Sequence, residues 1–176
     1  MKRFFALLLA AFALIMPAAA LCGCIQHTHI VIASDSLGDF YCSIYEDGTI
    51  EIVRYIGDET IVKIPSAMGD RRVVGISTRA FINEDKIEEV YLPASITELP
   101  AKLFDNCSKL KSVYIPATVG SIGKDFVTDC PEFTTVLFGG TEQQWDSVSK
   151  GNVIIDNFAL STAEYRYEYV VEQNEP

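Results

Sequence analysis

Apolar residues recur along the middle of this chain at a fixed distance of 23. Residues 81–93 (FINEDKIEEVYLP), 104–116 (FDNCSKLKSVYIP) and 127–139 (VTDCPEFTTVLFG) superpose without an insertion. Phe81, Phe104 and Val127 share one column, and Ile87, Leu110 and Phe133 a second. Val90, Val113 and Val136 make a third, and Leu92, Ile115 and Phe138 a fourth. Between the blocks, Val73, Ile96 and Val119 form a fifth column, and Ile76, Leu99 and Ile122 a sixth. Six apolar columns in one register mark an internal repeat, and a period in the range of roughly 20–50 residues belongs to stacked or radial arrays.

The local pattern says what each unit builds. In Val90-x-Leu92 the apolar residues are two apart, so on a strand both point inward while Glu89 and Tyr91 point outward. Pro93 and Pro116 follow, and a residue without an N–H ends the strand at a turn. One unit alone leaves its apolar side in water. Stacking units at roughly 4.8 Å joins those sides into a continuous core beneath a parallel ladder. Matching Ile64-Pro65 to Leu92-Pro93 makes Lys63, Tyr91, Tyr114 and Leu137 successive members of one outward column, flanked by Ile61, Glu89, Ser112 and Thr135. Two stacked tyrosines beside an exposed Leu137, with Lys63 and Glu89 at hand, predict a ligand-binding patch, because aromatic side chains have few rotors to immobilise. The competing reading is that Tyr is simply a good strand residue that tolerates water.

The flanks carry different signals. Tyr41 to Tyr55 holds Glu46-Asp47-Gly48 between alternating segments, which predicts a hairpin. At the start, Lys2-Arg3 precede an unbroken apolar run from Phe4 to Met16, then Pro17 and Ala18-Ala19-Ala20. That order is the order of a secretory signal. Leu21-Cys22-Gly23-Cys24 resembles a bacterial lipobox, with Cys22 standing where Ala, Ser or Thr is usual, and it predicts lipidation at Cys24. Ala18-x-Ala20 offers ordinary cleavage after Ala20 instead, and the apolar run is also long enough for an uncleaved anchor. All three readings put the mature chain outside the cytoplasm, at the cell surface, on the membrane or secreted.

Charge and candidate chemistry narrow the function. The 176 residues include 14 Lys and Arg against 24 Asp and Glu. Setting aside Lys2 and Arg3 leaves 12 basic residues and a net of −12. Such a surface repels phosphate backbones, so nucleic acid is a poor partner. Of the five cysteines, Cys22 and Cys24 belong to the leader, leaving Cys42, Cys107 and Cys130. Cys107 and Cys130 share a repeat column, and adjacent coils bring backbones within disulfide range. In-register side chains run parallel, however, and reduced thiols packed as small hydrophobes are the expectation. His27 and His29 lie on the expected tether, where they could touch a metal only weakly. The acid pairs Glu84-Asp85 and Glu88-Glu89 fall on turns and solvated strand faces, with nothing to set them across a cleft. No metal site, no cofactor and no catalytic constellation is expected. The chain reads as a binding protein.

The pattern Ile-x-x-Leu…Phe-x-x-Cys-x-x-Leu-x-x-Val-x-Leu-Pro resembles the BspA-like (Treponema-type) leucine-rich repeats of bacterial surface proteins. Ile64-Pro65, an excursion through Gly69-Asp70, and Val74-x-Ile76-x-x-x-Ala80-Phe81 look like that family's longer first repeat. Phe138 to Trp145 resembles its closing segment, in which a short helix carries a Trp back over the end of the stack. Phe126-Val127 departs from the pattern, and a local shift of that coil is expected. The resemblance implies a mainly β repeat solenoid, short and right-handed, with a parallel strand ladder on one face and irregular or short helical segments opposite. The expected order is a signal peptide at 1–23, a flexible tether at 24–40 and an N-terminal β-hairpin cap at 41–60. Repeats follow at 61–138, then a C-terminal cap at 139–170 and an acidic tail at 171–176. The implied function is adhesion to an extracellular protein or glycan; a glycan- or solute-binding envelope lipoprotein is the alternative, and an enzyme the remote one.

Overall fold

The computed structural model describes residues 30–171. The leader, Cys22, Cys24, His27, His29 and residues 172–176 lie outside them. The chain opens with strands Val31–Leu37 (β1), Phe40–Tyr45 (β2) and Ile50–Tyr55 (β3), followed by Ile61–Lys63 (β4), Ala67–Met68 (β5) and Arg71–Ile76 (β6). The repeats then contribute Phe81–Ile82 (β7), Glu89–Tyr91 (β8), Glu98–Leu99 (β9), Phe104–Asp105 (β10), Ser112–Ile115 (β11), Ser121–Ile122 (β12), Val127–Thr128 (β13) and Thr135–Phe138 (β14). Helices Glu142–Ser147 (α1), Val153–Asp156 (α2) and Phe158–Thr162 (α3) follow, and strand Glu164–Arg166 (β15) comes last.

The 23-residue period is the register of the ladders. Val113 lies opposite Val90 on one side and Val136 on the other, and Phe104 lies opposite Phe81 and Val127. Val62 faces Val90 at the start of the stack, which aligns Lys63 with Tyr91 as the Pro match expects. The main sheet is parallel, in the order β15-β14-β11-β8-β4. Its inward side chains Val62, Val90, Val113 and Val136 are buried and continuous with the six apolar columns. The fold is therefore the mainly β solenoid that the period implies.

The far side of each coil, expected to hold irregular or short helical segments, is irregular chain with two narrow ladders, β7-β10-β13 and β9-β12, and no helix within the repeats. The reason lies at the corners. Arg79, Lys102 and Asp125 stand just before β7, β10 and β13, and Asn83, Asn106 and Asp129 just after them. All six have φ between 51° and 60°. A left-handed residue reverses the chain within one step, which leaves no room for a helical turn, and Asn and Asp tolerate that conformation better than most residues. The corners also bond along the stack: Arg79 N–H donates to Lys102 O (2.9 Å), Lys102 N–H to Lys124 O (3.1 Å), and Asn106 Nδ2 to Asn83 Oδ1 (2.8 Å).

At the N-terminal end, β2 and β3 form an antiparallel hairpin, turning at Gly48 with φ 82°. β3 then lies parallel to β6, with Ile50 opposite Val73 and Ile52 opposite Ile76, so the hairpin extends two apolar columns by one layer. Residues 31–37, placed in the flexible tether, are instead strand β1, paired antiparallel with β2 from Leu37–Phe40 to Val31–Tyr45. The segment lacks polar/apolar alternation because it is an edge strand with both faces wet: only Leu37 among its residues is even partly covered.

Aromatic rings make a second spine. Phe40, Tyr55, Phe81, Phe104 and Phe126 follow one another with centroids 5.6, 5.6, 5.2 and 5.5 Å apart. The expected shift at Phe126-Val127 does not occur, since Val127 keeps the register opposite Phe104. Val127 is too small to fill the aromatic column, and the ring of Phe126 meets Phe104 edge-on in its place. Asn157, buried at the α2–α3 junction, holds that coil: its Oδ1 accepts from Phe126 N–H (2.8 Å), and its Nδ2 donates to Lys150 O (3.0 Å).

After the last coil, Thr141 opens α1 with a reciprocal capping box. Thr141 Oγ1 accepts from Gln144 N–H (3.2 Å), and Gln144 Oε1 accepts from Thr141 N–H (2.8 Å). That start angle brings the ring of Trp145 edge-on against Phe138 at 5.0 Å, covering the end of the column. Lys150 lies over the indole at 4.7 Å and donates to Val148 O (2.9 Å).

Candidate binding face

The outward side of the main sheet is where the sequence places Lys63, Glu89, Tyr91, Tyr114 and Leu137. Four of the five meet there. The rings of Tyr91 and Tyr114 stack at 6.0 Å, a spacing set by their pairing on adjacent strands. Lys63, paired with Tyr91 in the ladder, brings its ammonium 5.8 Å from the Tyr91 ring. Tyr91 Oη donates to Glu89 Oε2 at 2.8 Å, across the two-residue step that puts both side chains on one face. A cation, two stacked rings and a carboxylate thus form one contiguous strip.

The tyrosines are half-buried. Burial, then the hydrogen bond to Glu89, then one to Tyr169, push the Tyr91 phenol well above its ordinary range. Burial alone raises Tyr114. Both remain neutral donors throughout the physiological range, so the strip offers hydroxyls and ring faces and no phenolate.

Leu137 does not belong to the exposed strip, and this corrects the reading of the column. It is 6% exposed. β14 is not the edge of the sheet: β15 adds a further parallel strand, placing Arg166 opposite Leu137. Past β15 the chain continues over the face. Glu168 N–H donates to Gly140 O (2.8 Å) and Tyr169 N–H to Phe138 O (3.0 Å), bringing the Tyr169 ring to 6.0 Å from Tyr114. Tyr169 is the contributor that repeat reasoning misses. Its signal was the alternation Tyr165-x-Tyr167-x-Tyr169, which marks a strand without saying which surface it covers.

The cysteine column has a structural explanation. Cys107 Sγ donates to Phe81 O of the preceding coil at 3.1 Å, and Cys130 Sγ donates to Thr128 O at 3.2 Å; both thiols are free. Hydrogen bonding to Cys130 and burial push the Cys107 thiol far up, so it stays protonated. Here Cys satisfies a buried carbonyl while packing as a small hydrophobe. Among the described residues no three side chains of metal-ligating type converge, and no helix is long and apolar enough to cross a membrane.

The sequence model of the BspA type leucine rich repeat region matches residues 40–149 in 6 copies. No curated protein matches the chain. Three solved structures resemble it. A leucine-rich repeat protein of T. pallidum is 24% identical, with 60% of this chain and 53% of that one covered and a TM-score of 0.53. A leucine rich cell surface protein from Faecalibacterium prausnitzii A2-165 is 19% identical, covering 67% of this chain and 42% of that one at a TM-score of 0.39. A leucine-rich repeat protein from Bacteroides capillosus ATCC 29799 is 22% identical over 60% of this chain and 97% of that one, at 0.43. This chain spans about half the length of the first two. At these identities the likeness speaks to fold alone, and the T. pallidum protein carries it.

Proposed function

The chain belongs to the BspA type leucine-rich repeat family, and from that premise we propose that it is an exported, lipid-anchored binding protein of the cell envelope that holds an extracellular protein through its strand face. The observation that carries the reading is the strip of Lys63, Tyr91, Tyr114 and Glu89. It combines rigid rings, a cation and a carboxylate on the outward face of the main parallel sheet. Such a strip supplies contact area at low conformational cost and polar groups that fix orientation. Family members of this type are protein-binding scaffolds, and the strip suits that role better than it suits catalysis.

The test is affinity for a panel of purified extracellular-matrix proteins and glycans, read beside a melting curve. The double variant Tyr91→Ala, Tyr114→Ala is expected to lose at least about tenfold in affinity for the protein retained. Because the rings stack and are half-buried, it should also lose about 1–2 kcal/mol of stability. Full affinity in a folded double variant moves the site elsewhere, and retention of a glycan alone moves the protein to the glycan-binding class.

The anchor rests on the sequence around Cys24, outside the described residues. Labelling cells with a fatty-acid analogue should mark the wild-type protein and miss Cys24→Ser. Equal labelling of both, or a mature N-terminus at Leu21, removes the lipid from the proposal.

A further inference from the structure

The strand face already holds an occupant. Tyr167 to Val171 leave β15 and line, with Lys63 and Tyr91, a cleft of about 490 Å³ on the outward side of the sheet. Tyr169 completes a row of three rings, Tyr91–Tyr114–Tyr169, in which two come from the ladder and the third from this strap. Two backbone hydrogen bonds, from Glu168 and Tyr169 to Gly140 and Phe138, attach it, together with the side-chain hydrogen bond between Tyr169 and Tyr91.

The attachment is weak for something so well placed. No residue from Tyr167 to Val171 is buried, and Val170 is 80% exposed. Glu168 turns the chain at φ 53°, a conformation that a side chain with a Cβ disfavours by about 1–2 kcal/mol. The ladder beneath it, by contrast, is fully buried along Val90, Val113 and Val136. Segments with few buried contacts and few backbone bonds open independently of the core.

We infer that the strand face is a receptor for an extended, tyrosine-bearing peptide segment of a partner, and that Tyr167–Val171 is its resident, displaceable ligand. This rests on the strand-face reading above and gives the partner a chemistry. The partner presents a Tyr ring against Tyr114 and main-chain donors toward Gly140 and Phe138, as the strap does. A tethered occupant acts at a high effective concentration, in the millimolar range for short linkers, and so suppresses outside ligands until it is released.

The probe is a labelled peptide with the sequence of residues 164–171 (EYRYEYVV), added to the full chain. Tyr169→Ala, which removes the competing ring, is expected to bind it at least about tenfold more tightly than the wild type does. Adding Tyr91→Ala and Tyr114→Ala to that variant should abolish the gain. Equal affinity of wild type and Tyr169→Ala, or binding that survives loss of the ladder tyrosines, overturns the inference. Hydrogen exchange on the unmodified protein supplies a readout independent of any variant. The Glu168 and Tyr169 amides should exchange at least about a hundredfold faster than those of Leu92 and Phe104, and equal protection overturns displacement. Matrix-protein binding that is identical in wild type and Tyr169→Ala sinks this inference and leaves the adhesive reading standing. Tight peptide capture by Tyr169→Ala with no matrix protein retained does the reverse.

Discussion

Val113→Asp is expected to abolish cooperative folding. Val113 has no exposed surface and sits in the central strand, with Val90 and Val136 in register on either side. A carboxylate there meets only apolar side chains, and the coils above and below leave it no route to water. An unpaired buried charge costs roughly 4–5 kcal/mol or more, which is comparable with the whole stability of a domain this size. The loss cannot be confined to one coil, because each coil is stable only through its neighbours. The measurement is thermal and urea unfolding followed by circular dichroism. Val113→Thr, nearly the same shape with one hydroxyl to satisfy, should fold with a loss of about 1–2 kcal/mol. Acidification should favour Val113→Asp relative to the wild type, since a buried carboxyl has a raised folded pKa and its neutral form is cheaper to bury. An unaltered melting curve for the Asp variant would contradict the ladder register.

Phe104→Ala is expected to remove about 3–5 kcal/mol, because the ring is packed between two others as the fourth member of the five-ring spine. It lies 5.2 Å from Phe81 and 5.5 Å from Phe126, and it has no exposed surface. Deleting it leaves a void between coils whose spacing is fixed by backbone bonds, so the walls cannot collapse inward. Phe158→Ala, on α3, is the matched control: that ring is 66% exposed, and its loss should change stability by about 0.5 kcal/mol or less. The urea midpoint of each variant, at unchanged slope, reads the difference. Similar losses from the two would mean that the spine does not bear on stability.

The parts of this fold that could be read from the sequence are those governed by the period. A side chain 23 residues away is a neighbour in the ladder, so Val90, Val113 and Val136 could be placed without seeing them. Lys63 could be set beside Tyr91 by one Pro match. What stayed hidden obeys other rules. Phe40 and Tyr55 join the aromatic spine through an antiparallel hairpin, where partner spacing depends on the turn and not on the repeat. The two-residue strands β7, β9 and β10 are too short to show an alternation. Residues 31–37 pair by backbone alone, which leaves no pattern in their side chains. Leu137 shares the outward column with Tyr114 and is nevertheless buried. What covers it is a segment roughly thirty residues later that no local pattern ties to this face. Phe126 and Val127 show the same limit from within a repeat: the backbone held its register, and an adjacent ring filled the gap.

The corner residues of the coils bear on how long such a molecule can be. Arg79, Lys102 and Asp125 turn the chain by the same amount, as do Asn83, Asn106 and Asp129, and each set recurs at the ladder period. Pro93-Ala94 and Pro116-Ala117 are therefore interchangeable joints. Excising residues 94–116 would splice one joint to the other, bringing Val90 against Val136 and Phe81 against Val127, with no side chain moved off its column and no corner left half-made. Duplicating the same stretch would add a rung by the same rule. The hairpin packs on the first coil and α1 on the last, while the strap Tyr167–Val171 reaches back to Tyr91 and Lys63 and would meet a different rung in a shorter or longer stack. The length of the stack thus becomes a quantity that whole-unit gain or loss of sequence can adjust, in steps of one strand spacing, without redesigning the core.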